Sequence, residues 1–267
     1  MSTRITDEPI SGHYFESLAT GLSSAAINYY NVRRGFREYL FQPVNTTGGF
    51  FIHVWLNPRI SGMWWFKSSD NSYTDLIDGG VLVNRANAGT STITTMPSTD
   101  AIYIVTKDVV GGFWFDLTAL NNNASVITVT YSDSATTIAG ALTETDGTAA
   151  AGATLAQDGL VTWTAPTDQV ITDGRKLGLP GLPPTELGFW YKVTVSLALD
   201  TISFAQVAAV NKDANNYLRF RANTVPNMVE YTEDINDQQV GSIGIRGSET
   251  TATYTLGANY IKRSTGA

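Results

Sequence analysis

Apolar and polar residues alternate in short runs along most of this chain. A period of two is the mark of a strand with one face on a core. In Phe50 to Leu56, the side chains of Phe50, Ile52, Val54 and Leu56 share one face, with His53 and Trp55 on the other. Phe113, Phe115 and Leu117 align in the same way. From Val126 to Tyr131, the positions Ile127, Val129 and Tyr131 stand opposite Val126, Thr128 and Thr130. The longest run, Phe189 to Leu197, directs Phe189, Tyr191, Val193, Val195 and Leu197 inward and Lys192, Thr194 and Ser196 outward. Further strands are expected at Ala101 to Val105, Leu160 to Thr164, Ile202 to Val207, Tyr217 to Arg221 and Thr251 to Leu256. Gly111-Gly112, Asn121 to Asn123, Asp146-Gly147, Asp158-Gly159 and Asp173-Gly174 supply turn signals between them.

Helix is scarce: Phe15 to Ile27 is the best candidate, and Gly21 interrupts it. The pattern predicts an all-β chain with a β-sandwich or jelly-roll-like core. Its regular strand series spans residues 86–211, between a β-rich N-terminal region, 1–85, and a β-rich C-terminal region, 212–267. The segment Leu177 to Pro184 carries three prolines, which fix φ and remove donors, so it reads as a stiff loop whose leucines pack back on the sandwich.

Composition adds a surface property. Only 15% of residues are charged, against roughly 25% in an ordinary soluble domain. The abundant threonine suits pleated sheet, and a surface with few charges is cheaper to desolvate against a neighbour. The net charge of −7 argues against wholesale nucleic-acid binding, which needs cations to displace phosphate counterions. Arg33, Arg34 and Arg37 form the one tight basic cluster of the N-terminal region and are candidates for a charged interface. Residues 1–10 lack the apolar core of a signal peptide, and no apolar run approaches the roughly 20 residues of a membrane helix. Neither a signal peptide nor a membrane partner is therefore expected.

Candidate chemistry is thin. Without cysteine there is no thiol nucleophile, disulfide or thiolate metal site. The two histidines are His13, which lies near no nucleophile motif, and His53, which sits inside a strand. No nucleophile elbow, phosphate loop, dinucleotide fingerprint or zinc-helix motif occurs. Asp108, Asp116, Glu144, Asp146, Glu186 and Glu230 are scattered rather than paired, and Asp168 and Asp173 flank a loop without a calcium-binding pattern. No catalytic residue, cofactor or metal ligand is expected. The tryptophans are more informative. Trp64 and Trp65 are consecutive and cannot face one core, and Trp190 lies opposite the apolar face of its strand. All three are candidates for a second buried layer, a subunit interface or a carbohydrate-stacking surface.

A series of stretches carries a resemblance: Asp100 to Val105, Gly112 to Leu117, Asn123 to Tyr131, Thr145 to Thr148, Gly152 to Asp168 and Gly188 to Ser196. Together, over residues 100–200, they are similar to a β-domain of tailed-bacteriophage virion proteins, most specifically in the run Leu155 to Pro166. The chain departs from that pattern at Asp133 to Gly140, which is small and polar, and in the longer proline-rich loop before Gly188. The resemblance implies a non-enzymatic structural protein located in the virion. With the charge-poor, threonine-rich surface, it leads to the expectation of a capsid cement or decoration protein. Its partners would be the major capsid protein or other virion proteins, and symmetric self-association, as a trimer, would match local shell symmetry. The alternative is a tail or baseplate component that binds host-surface carbohydrate.

Overall fold

The computed structural model describes residues 14–22, 27–31, 38–45, 50–77, 91–179, 187–222, 229–231, 240–248 and 254–261. Among these the chain is all-β, with no helix. The first strands are β1 (Tyr14–Leu22), β2 (Asn28–Asn31), β3 (Glu38–Asn45), β4 (Phe50–Pro58), β5 (Ile60–Lys67) and β6 (Ser72–Asp75). Then come β7 (Ser91–Ile93), β8 (Ala101–Thr106), β9 (Val110–Ala119), β10 (Ile127–Tyr131), β11 (Gly140–Ala141), β12 (Thr145–Asp146), β13 (Gly159–Thr162) and β14 (Ile171–Thr172). The last are β15 (Gly188–Val195), β16 (Ile202–Asn211), β17 (Leu218–Ala222), β18 (Val229–Tyr231), β19 (Val240–Gly247) and β20 (Tyr254–Ile261).

Two compact units result, one of residues 56–216 and one of residues 1–55 with 217–267. The divisions fall at positions other than the expected 85 and 211. β5 and β6 extend a sheet of the middle unit, and the N- and C-terminal segments pair with each other.

The middle unit is a sandwich of two antiparallel sheets. One has strand order β11-β10-β15-β8-β5-β6, with β14 also on β15, and the other β12-β13-β9-β16-β7. Alternation places the core between them. Ile127, Val129, Tyr191, Val193 and Val195 from the first sheet meet Phe113, Phe115, Val161, Phe204 and Val207 from the second, all buried. Tyr191 packs edge-on against Phe113 with centroids 5.3 Å apart. Each such side chain contributes about 1.5–3 kcal/mol of burial.

Leu197, expected inward, lies beyond the end of β15 and is exposed, and Phe189 at the strand's other end is only partly buried. Gly111 and Gly112, expected in a turn, lie inside β9. A Cβ on Gly112 would stand 2.5 Å from the Val161 carbonyl oxygen, so Gly112 marks a close backbone approach to β13, while Gly111 lies against Asn211 at the end of β16.

The other unit holds two four-stranded sheets, β1-β20-β3-β18 and β17-β4-β19-β2. Ile52, Val54, Phe220, Ile243 and Ile245 share one face of the second and are buried. The helical candidate Phe15 to Ile27 begins instead as strand β1, paired with β20 from Tyr14↔Tyr260 to Leu22↔Tyr254. A segment with a central glycine and no 3.6-residue apolar stripe has little to bury as a helix, whereas the β20 ladder satisfies its backbone.

Candidate functional site

The three tryptophans singled out by sequence are all buried. Trp65 points into the sandwich core and donates from Nε1 to Asp100 Oδ2 at 3.1 Å. Trp64, its neighbour, points to the opposite face of the sheet and stacks on Trp190 at 5.6 Å and 16°. With Ala101, Tyr103 and Val105 they form a second apolar layer. Ile138, from the polar departure segment, and Leu177 and Leu179, from the start of the proline-rich loop, pack against that layer. Trp190 is 1% exposed and donates from Nε1 to the Thr172 carbonyl at 3.0 Å. A sugar cannot reach these rings, so carbohydrate stacking is corrected for Trp64, Trp65 and Trp190: Trp64 and Trp190 form the second buried layer and Trp65 belongs to the core. Each points where β alternation sends it, and the loops above close the face.

Arg33, Arg34 and Arg37 lie outside the described residues, as do His13 and Glu186. The described carboxylates have local roles. Asp108 faces Lys212 at 3.3 Å, and Glu144 accepts from the Val129 amide. Asp146 accepts from both the amide and the hydroxyl of Thr148. Asp168 accepts from the Tyr131 hydroxyl at 2.7 Å, and Asp173 accepts from the amides of Arg175 and Lys176. Asp116 has its carboxyl pKa raised from its ordinary value by burial and by nearby Asp158. No group of three or more His, Cys, Asp or Glu among the described residues could hold a metal ion.

Sequence reasoning missed a different assembly, on the other face of the β17-β4-β19-β2 sheet, where Tyr29, Trp55 and Ser242 are buried. β4 presents Phe51, His53 and Trp55 there, opposite to Ile52 and Val54. β17 lies beside it with Arg219 opposite His53 and Arg221 opposite Phe51. On the other side, Ser248 and Phe51 exchange hydrogen bonds, fixing the register of β19 and bringing Arg246 alongside. Tyr217 closes the row: its ring is 4.4 Å from His53 and 5.1 Å from Trp55. The Arg219 guanidinium lies 3.6 Å over the Phe51 ring and that of Arg246 5.2 Å from Trp55, both within cation–π range. Tyr217, Arg219 and Arg221 are exposed. Burial first, then Arg246 and Arg219, lowers the pKa of His53 below its ordinary value. Its Nδ1 is buried without a hydrogen-bond partner. Tyr217 to Arg221 was legible as a strand, but the sequence gives no sign that it would pair beside β4, some 165 residues away.

Comparison with known proteins finds no match: no family model fits the chain, and no curated protein or solved structure is significantly similar to it.

Proposed function

We propose that this chain is a non-enzymatic structural protein of a virus particle, a capsid cement or decoration protein of tailed-phage type. The observation that carries the reading is a set of exposed aliphatic side chains at the ends of the sandwich. Leu120, Val126 and Leu197, 43%, 63% and 59% exposed, stand where the β9–β10 and β15–β16 connections meet. Those connections are tied together by Asn122 and Asp200. Ile171 and Leu187 are exposed near the other end of β15. Isolated apolar side chains are ordinary on a surface, but grouped at loop tips they suit contact with a neighbour. An interface of about 1,600 Å² at each joint would hold adjacent shell subunits together, and repetition over a symmetric shell would raise the effective affinity. The low charge of the chain limits the desolvation cost of such contacts. No helix among the described residues is long and apolar enough to cross a membrane.

The test is where the protein sits in an intact particle and whether it binds shells that lack it. Density at icosahedral positions supports the reading. Density confined to the tail overturns it, as does failure of the purified protein to bind depleted shells. Val126→Asp with Leu197→Asp should weaken shell binding at least about tenfold while leaving the melting temperature within a few degrees, because both side chains are already in solvent.

A further inference from the structure

We propose that the arginine–aromatic face of the β17-β4-β19-β2 sheet binds a carboxylated saccharide, with a sugar ring on Tyr217 and its carboxylate held by Arg219 and Arg221. The inference stands on this face alone and does not depend on a shell location.

Among the described side chains, the charge of the face is of one sign. Its described side chains are Tyr29, Phe51, His53, Trp55, Tyr217, Arg219, Arg221, Ser242, Arg246 and Ser248, with three guanidinium groups and no carboxylate among them. In a chain of net charge −7 this is a local reversal. An anion is the complementary ligand. Guanidinium groups hold carboxylates by paired N–H donors in a fixed fork.

The arrangement also favours a sugar over a bare anion. Residues two apart in a strand project from the same face about 6.6–6.8 Å apart, so Tyr217, Arg219 and Arg221 form a row of one ring and two cations. That spacing suits a pyranose ring lying on the phenol with its carboxylate directed along β17. The Tyr217 ring, 36% exposed, is backed by His53 and Trp55, which set its tilt. A long nucleic-acid strand needs several phosphate contacts along an extended track; the described face spans the width of four short strands.

His53 couples the site to pH. The groups facing it are Tyr217 just before β17, Arg219 on β17, Arg246 on β19 and Trp55 on its own strand. A bound carboxylate offsets the repulsion from the two arginines, so the imidazole takes up a proton more readily in the complex. Affinity therefore rises as pH falls below the ordinary imidazole value of 6.5.

The test uses the full chain and an oligogalacturonate of about six sugars, titrated calorimetrically at low salt. Saturable binding is expected, with none for the neutral galactose oligomer of the same length. Arg219→Gln with Arg221→Gln should weaken binding at least about tenfold. Tyr217→Ala, which leaves the charge unchanged, should weaken it about fivefold, and Tyr217→Phe should restore it. His53→Gln should abolish the pH dependence. Lys192→Ala, on the other unit, should change nothing. The proposal is overturned if the full chain shows no saturable binding at millimolar saccharide. It is equally overturned if a hexathymidylate binds as well or better and Tyr217→Ala has no effect, because the face would then be a general attractor of anions.

Discussion

Tyr191 shows how much one side chain can hold. Its ring lies between the two sheets of the sandwich, and its hydroxyl accepts from the Val110 amide at 3.0 Å and donates to Gln169 Oε1 at 2.8 Å. Tyr191→Phe keeps the ring but leaves a buried amide and an amide oxygen unmatched, a loss of about 1–3 kcal/mol in chemical denaturation. Asn121 carries more: its Nδ2 donates to the carbonyls of Asn123 and Thr154 and to Ser125 Oγ, while its Oδ1 accepts from the amides of Asn123 and Asp200. Its triplet reads in sequence only as a turn, because spacing reveals a turn residue but not how many partners its amide will find. Two titrating groups act in opposite directions. The Asp116 carboxyl is raised, so the folded protein holds that proton longer than the unfolded chain, and stability falls as pH rises above the ordinary value of 3.8. Asp116→Asn should raise the melting temperature at neutral pH and lose that advantage in acid. His53 is lowered, so the unfolded chain takes up its proton first, and stability falls as pH drops below 6.5. His53→Gln should flatten the stability profile on that acid side, read by thermal melts at stepped pH.

At the scale of elements, period-two alternation was enough to locate most of the sandwich. Ile127, Val129, Tyr191, Val193 and Val195 face the core as the pattern requires, and Trp190 faces away from it. What alternation cannot show is the cover on the outward face. Trp64 and Trp190 are shielded partly by side chains from loops, including Ile138, Leu177 and Leu179, and loop placement is set by long-range contact rather than local pattern. The distinction predicts a phenotype. Trp190→Ala should behave as a core truncation, costing about 3–5 kcal/mol, and circular dichroism should show it as lowered melting. The glycines teach a related lesson. Gly111-Gly112 signals a turn by composition, yet the residues serve two strand ladders, where β13 leaves no room for a Cβ at Gly112. Gly112→Ala should therefore loosen the β9–β13 edge and speed amide exchange at Val161 and Thr162 more than at β16.

On the scale of the whole molecule, the chain leaves one unit, builds a complete sandwich and returns to finish the first. Strand alternation could not foresee this, since it says nothing about which distant strands become neighbours. β20 lies between β1 and β3, so it satisfies the backbones of two strands from the other end of the sequence. The sandwich core is closed within residues 56–216. That segment expressed alone should unfold in one cooperative transition in urea. A chain lacking 254–261 should keep the transition and lose the remainder of its β signal.

This interleaving also sets a timetable. A ribosome delivers β1 to β4 first, then about 160 residues of sandwich, and only afterwards the strands those four pair with. At about 5–20 residues per second, the first strands wait roughly 10–30 s for their partners. The middle of the chain is thus the part able to fold while synthesis continues. The unit made from both ends, with its arginine–aromatic face, comes into being only after the last strand has been made.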